Sequence, residues 1–152
     1  MGESERKNKW SKPRFINKSE ILSELLAGRK NFQGLIFSGD MTIDANDLAK
    51  LECKASLQGI DIRGKVIFDG FKNGLDLSFS MIRSNLILAG LTIEGDLNLE
   101  GATIKGYMDL KETRVIGTLD LTFESPPQCI IVSLDMAERV HWAAPTVPLV
   151  VV

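Results

Sequence analysis

His141 is the one histidine of the chain, and it stands beside Trp142 in Met136-Ala-Glu-Arg-Val-His-Trp-Ala-Ala144. An imidazole is the natural base or metal ligand near neutral pH. No Ser or Cys nucleophile with a supporting motif accompanies it, so His141 reads as a helix residue packed beside its tryptophan. Cys53 and Cys129 form no CxxC pair and no metal-spaced set, and read as inert buried thiols. Gly95, Gly106 and Gly117 recur in one phase. That makes them corners of a repeat rather than a phosphate cradle, with glycine supplying backbone angles that other residues resist. The acidic residues are more suggestive. Asp76, Asp96, Asp109 and Asp120 occupy outward positions, with Glu94, Glu100, Glu112 and Glu124 nearby. A row of carboxylates repeated at about 4.8 Å can imitate a phosphate backbone, or it can simply keep a face solvated. Nothing marks a cleft where two carboxylates would do acid–base work. The expectation is a non-enzyme with no cofactor, no metal and no small-molecule substrate.

The charge is uneven. Residues 1–30 carry eight basic and four acidic side chains, and residues 31–124 carry nine basic and fourteen acidic. Arg6, Lys7, Lys9, Lys12, Arg14 and Lys18 surround Trp10 and Phe15. Basic residues interleaved with aromatics suit single-stranded nucleic acid, but a solubilising tail has the same composition, and a nucleic-acid partner is not expected. No stretch approaches the roughly 20 apolar residues of a membrane span, and Met1–Phe15 lacks the apolar core of a signal peptide. A cytoplasmic protein with no membrane partner is expected.

These side chains need a frame, and the frame is a repeat. Leu86-Ile-Leu-Ala-Gly-Leu-Thr-Ile93 aligns with Leu97-Asn-Leu-Glu-Gly-Ala-Thr-Ile104, then Met108-Asp-Leu-Lys-Glu-Thr-Arg-Val115, then Leu119-Asp-Leu121. A fixed eleven-residue period of alternating apolar positions means stacked units. The inward series is Phe37, Ile43, Leu57, Ile62, Phe68, Leu77, Ile82, Leu88, Ile93, Leu99, Ile104, Leu110, Val115 and Leu121. From Leu77 the steps alternate five and six, so each step is one side of a coil. Stacked in fours, the sides give columns. The first holds Phe37, Leu57, Leu77, Leu99 and Leu121, and the second Ile43, Ile62, Ile82 and Ile104. The third holds Phe68, Leu88 and Leu110, and the fourth Cys53, Phe71, Ile93 and Val115. Asp44–Leu51 breaks the pattern and is predicted to be an irregular corner or one helical turn, with Asp44 or Asn46 as cap.

Four segments follow. Residues 1–16 are predicted to be a flexible basic arm. Residues 17–30 form a helix, with Asn17 and Glu20 at capping-box spacing, an apolar stripe of Ile21, Leu22, Leu25 and Leu26, and Gly28 as its stop. Residues 31–124 are the repeat. Residues 125–152 form a second cap: a strand at Cys129–Val132, a helix over about 134–144 capped by Ser133, and an apolar tail. That helix presents Leu134, Ala137, Val140 and Ala144 on one side.

Leu25-Leu-Ala-Gly-Arg-Lys-Asn-Phe-Gln-Gly-Leu-Ile-Phe-Ser-Gly39 resembles the entry into pentapeptide-repeat proteins, and Ala102-Thr-Ile-Lys105 is a near match to their five-residue unit. The likeness covers about residues 20–124. It implies an all-β solenoid, a right-handed parallel β-helix of roughly square section, here about four to five coils spaced at about 4.8 Å. The family places a small residue two before each inward one. Ala55, Ser80, Ala102 and Thr113 keep that rule; Leu35, Ile60, Val66, Leu75, Leu86, Leu97, Met108 and Leu119 do not. Large residues there would crowd a tight interior, so a flattened or triangular coil, as in bactofilin-like solenoids, is the alternative section.

The function expected is a scaffold presenting a rigid surface to a protein partner. Some members of the resembled family mimic DNA against type II topoisomerases, so Asp76, Asp96, Asp109 and Asp120 are the candidate interaction face. A self-assembling bactofilin-like module is the alternative. A homodimer through the C-terminal cap is also expected, with Trp142, Val147, Leu149, Val150 and Val151 as its contact. The competing arrangement folds the tail onto its own last coil, with Trp142 covering the core.

Overall fold

The computed structural model describes residues 13–70 and 72–152. The expectations placed on residues 1–12 and on Phe71 lie outside them. The described chain is mostly short parallel strands, gathered into four parallel sheets, with two helices. Sheet I holds β4 (Ala55–Ser56), β7 (Leu75–Asp76), β11 (Leu97–Asn98) and β15 (Leu119–Asp120). Sheet II holds β1 (Arg14–Phe15), β2 (Leu35–Phe37), β5 (Asp61–Ile62), β8 (Met81–Ile82) and β12 (Thr103–Ile104). Sheet III holds β3 (Met41–Asp44), β6 (Val66–Asp69), β9 (Leu86–Ile87), β13 (Met108–Leu110), β16 (Ile130–Val132) and β17 (Leu149–Val151). Sheet IV pairs β10 (Thr92–Ile93) with β14 (Arg114–Val115).

From β7 onward the chain visits sheets I, II, III and IV in order and then returns to sheet I. One circuit takes 22 residues: Leu75 pairs with Leu97 and Leu97 with Leu119, Met81 with Thr103, Leu86 with Met108, and Thr92 with Arg114. The eleven-residue period is half a circuit. Earlier circuits are irregular. Met41 pairs with Val66, 25 residues on, and Ala55 with Leu75, 20 residues on.

The inward series is buried throughout except Phe37, which is half-buried. Two column assignments are corrected. Phe37 stacks on Ile62 in sheet II, and Ile43 stacks on Phe68 in sheet III. The cause is the segment after β3. It occupies the fourth side as irregular turns with no alternation to count, and buries Leu48 and Leu51. Asp44 and Asp47 cap it reciprocally, each carboxylate accepting from the other's backbone N–H at 2.9 Å, with Lys18 Nζ 2.9 Å from Asp47. Cys53 is exposed and leaves the fourth column, and Cys129 is half-buried, so neither is a buried thiol.

The feared crowding is resolved by placement. Sheets I and III carry two large inward residues on their middle strands, such as Leu75 with Leu77 and Leu86 with Leu88. Sheets II and IV pair one large residue with a smaller one where Ser80, Ala102 and Thr113 fall. The buried hydroxyls are satisfied: Ser80 donates to the Leu77 carbonyl at 2.6 Å and Thr113 to the Leu88 carbonyl at 2.7 Å, so neither carries the cost of an unpaired buried group.

The periodic glycines are corners for a different reason than backbone freedom. Gly106 and Gly117 are not in the left-handed region. A Cβ on either would overlap the previous circuit, at the Asn85 side chain or at the Asp96 carboxylate and Gly95 carbonyl. Left-handed angles fall at other corners, where Phe79 (φ 59°) sits one level from Gly101 (φ 68°).

Two helices flank strands β2 to β16 in sequence. Arg14–Phe15 is strand, not flexible arm, and Ile16 is buried. Helix α1 (Lys18–Leu26) starts on the predicted capping box, with the Asn17 side chain accepting from Glu20 N at 2.8 Å and Glu20 accepting from Asn17 N at 3.1 Å. It buries Ile21 and Leu25 but leaves Leu26 exposed. Gly28 ends it with φ 93°. Helix α2 (Leu134–Ala143) buries Met136 and Val140, and Leu134 points away from the core at 78 % exposure. The Ser133 hydroxyl does not cap it; its Oγ accepts from Glu112 N at 2.8 Å instead. Arg139 of α2 donates to the carbonyls of Val115 and Gly117 at the edge of the stack. The tail folds onto its own last circuit, with β17 pairing parallel to β16. Val147 is buried there, which removes it as a dimer contact. Among the described residues no helix is long and apolar enough to cross a membrane.

Candidate docking groove

A groove of about 510 Å³ lies between the outer face of sheet I and α2. Its floor follows from the 22-residue circuit, which stacks Asp76, Asn98 and Asp120 in one outward column. Asp96 and Thr118 stand at the preceding corner on successive circuits, Lys54 lies at one end, and Trp142 with Ala143 forms the wall. Trp142 is 74 % exposed, so it does not cover the core as the folded-back alternative supposed. His141 is also exposed, with its ring 6.1 Å from the indole in an edge-on arrangement.

The structure thus brings together Asp76, Asp96, Asp120 and Trp142, which sequence reasoning had assigned to two separate surfaces. Asp109 is placed elsewhere, on β13 of sheet III, and the acidic residues do not form a single face. Asp76 is also not the solvated carboxylate expected: it is 5 % exposed. Its Oδ1 accepts from Ser78 N at 2.9 Å and its Oδ2 from Gln58 Nε2 at 3.0 Å. Asp109 and Asp120 accept from the backbone N–H two residues on, at Lys111 (2.9 Å) and Thr122 (3.0 Å), and Asn98 does the same for Glu100 (2.9 Å). These are Asx turns, in which a short side chain substitutes for backbone at a corner. Asp96 instead reaches the next circuit, accepting from Thr118 N at 2.8 Å. That backbone hydrogen bond, helped by the Thr118 side chain and by Lys54, holds its carboxyl below the ordinary value of 3.8.

The remaining predicted contact residues lie on the last strand. Leu149 is half-buried, and Val150 and Val151 are about half exposed. Sequence reasoning passed over Lys54, Thr118 and Thr122. The available signal was the spacing of 22 that links Asp96 to Thr118 and Asn98 to Asp120. Among the described residues no three His, Cys, Asp or Glu side chains are grouped as a metal site. Comparison of the chain with protein-family models, with curated proteins and with solved structures gave no match.

Proposed function

We propose that the chain is a right-handed β-helix related to pentapeptide-repeat proteins, a non-catalytic cytoplasmic scaffold that docks a protein partner in the groove over sheet I. The right-handed sense follows the strong preference of parallel strand–crossover–strand connections. The observation that carries the docking reading is Trp142. An indole left 74 % exposed over a concave polar floor is an unusual use of the residue type most enriched at binding hot spots. The floor beneath it is held by ladders of parallel hydrogen bonds, so it is pre-organised and costs little ordering on binding.

Two observations weigh on the alternatives. A DNA mimic wants a continuous exposed acidic stripe, whereas Asp76 is buried and Asp109 lies on another sheet. A bactofilin-like polymer wants open ends, whereas β1 and β17 are the outermost strands of their sheets and α2 packs on β15, β16 and β17. A homodimer through Val150 and Val151 is compatible with docking, and sedimentation of the purified chain decides it.

The test is a photo-crosslinking amino acid placed at Trp142 in the source cell, with a second version at exposed Ile116 as control. The reading expects a product from position 142 that position 116 does not give, identified by mass spectrometry and then reproduced with the pure partner. Equal products at both positions, or none at 142, would remove it.

A further inference from the structure

We infer that the groove takes the arginine side chain of an extended partner segment, an assignment that rests on the docking reading above. Three features lead there. The groove spans the levels of β7, β11 and β15, two strand spacings or about 10 Å, which suits one long side chain with its flanking backbone. Its charge is acidic, with Asp96 and Asp120 set against Lys54 and the buried Asp76 carboxylate beneath them. Acceptor and aromatic stand together: the Asp120 Oδ1 is taken by the Thr122 N–H and hydroxyl, while its Oδ2 has no hydrogen-bond partner among the described residues, and Trp142 walls the same groove.

A guanidinium answers both groups at once. Its plane stacks on an indole, and its fork of N–H donors meets a carboxylate. An ammonium would supply the charge without the plane or the fork. An apolar side chain seated there would desolvate the Asp120 carboxylate without giving it a partner, which is costly. An acidic one would meet the Asp96 and Asp120 carboxylates.

The experiment uses the full chain, ¹⁵N-labelled and carrying Trp10→Phe, so that Trp142 gives the one indole N–H resonance. The probes are Gly-Gly-Arg-Gly-Gly, the same peptide with lysine, and the same peptide with citrulline, which keeps the shape and loses the charge. The expected result is a saturable shift of the Trp142 resonance with the arginine peptide in the millimolar range, weaker with lysine and absent with citrulline. Asp120→Asn should weaken the arginine titration several-fold while leaving the fold intact, because Asn98 already makes the same turn one circuit earlier. No shift with the arginine peptide, or an equal response to lysine or citrulline, overturns the assignment. A partner trapped at position 142 through a segment without arginine overturns it too but leaves docking standing. No partner trapped at 142 removes both.

Discussion

Leu99→Ala removes three carbons from the interior of sheet I. Leu99 is fully buried and stacked between Leu77 and Leu121. At about 0.8 kcal/mol per buried methylene the lost transfer energy is about 2.4 kcal/mol. A cavity term adds to it, and its size depends on how far the neighbours can collapse. Here they are restrained: Leu77 N donates to the Asn98 carbonyl and Leu99 N to the Asp120 carbonyl, each at 2.8 Å, so the three levels are pinned at fixed spacing. The expected cost is therefore toward the upper part of the range, about 3–5 kcal/mol, a large share of the roughly 5–15 kcal/mol that holds a domain together. With a urea slope of about 1–3 kcal/mol per molar, the denaturation midpoint should fall by roughly 1–5 M. The comparison is Asn98→Ala, one residue away and facing out, which gives up the 2.9 Å bond to Glu100 N and should cost only about 0.5–1.5 kcal/mol. A Leu99→Ala midpoint shift no larger than that of Asn98→Ala would mean that the inward and outward assignments of sheet I are wrong.

Gly117→Ala drives a Cβ into the Asp96 carboxylate and Gly95 carbonyl, so it should cost about 1–3 kcal/mol in the same urea assay; a neutral result would refute the close-approach explanation of the periodic glycines. Asn17→Ala removes the α1 capping box and should lower stability by about 1 kcal/mol, with Asn17→Ser close to wild type. The carboxyls of Asp47 and Asp96 lie below the ordinary value, through the Lys18 ammonium and the Thr118 N–H respectively. A value lower folded than unfolded gives a contribution that is full above about pH 4 and lost as the pH falls through the depressed folded values. The stability gap between the wild type and Asp47→Asn or Asp96→Asn should then be constant from about pH 7 to 5 and close in more acid solution; a gap that changes near neutral pH contradicts the assignment.

Much of the fold was legible because one physical rule generates it. An inward residue every five or six positions can be counted, and from Leu77 to Leu121 that count holds and every counted residue is buried. It slipped at Phe37 and Ile43 because the chain between Ala45 and Lys54 fills a single side without alternation, where the count allowed two. Buried status was harder to read than direction. Asp76 does face outward, yet the Gln58 side chain bonds to its carboxylate and helps shield it from solvent, a contact 18 positions away in sequence. The candidate site was legible only in parts. Asp76, Asp96, Asp120 and Trp142 were each visible as residues, but their meeting depends on where α2 lands. That is set by the buried Met136 and Val140 and by Arg139 reaching the Val115 and Gly117 carbonyls. No periodicity in the sequence encodes that landing.

Everything assigned to the groove depends on the chain returning to the same sheet every 22 residues, which places Asn98 directly beside Asp120. The measurement is a cysteine pair, Asn98→Cys with Asp120→Cys, in a chain whose Cys53 and Cys129 are replaced by serine. Adjacent parallel strands lie about 4.8 Å apart, within the Cα separation a disulfide accepts. The 22-residue circuit predicts that mild oxidation closes this pair within the monomer, while Asn98→Cys with Asp109→Cys, one eleven-residue unit apart on sheets I and III, stays reduced. Closure of the 98–109 pair in place of the 98–120 pair would mean a turn of eleven residues, and the groove floor would not exist.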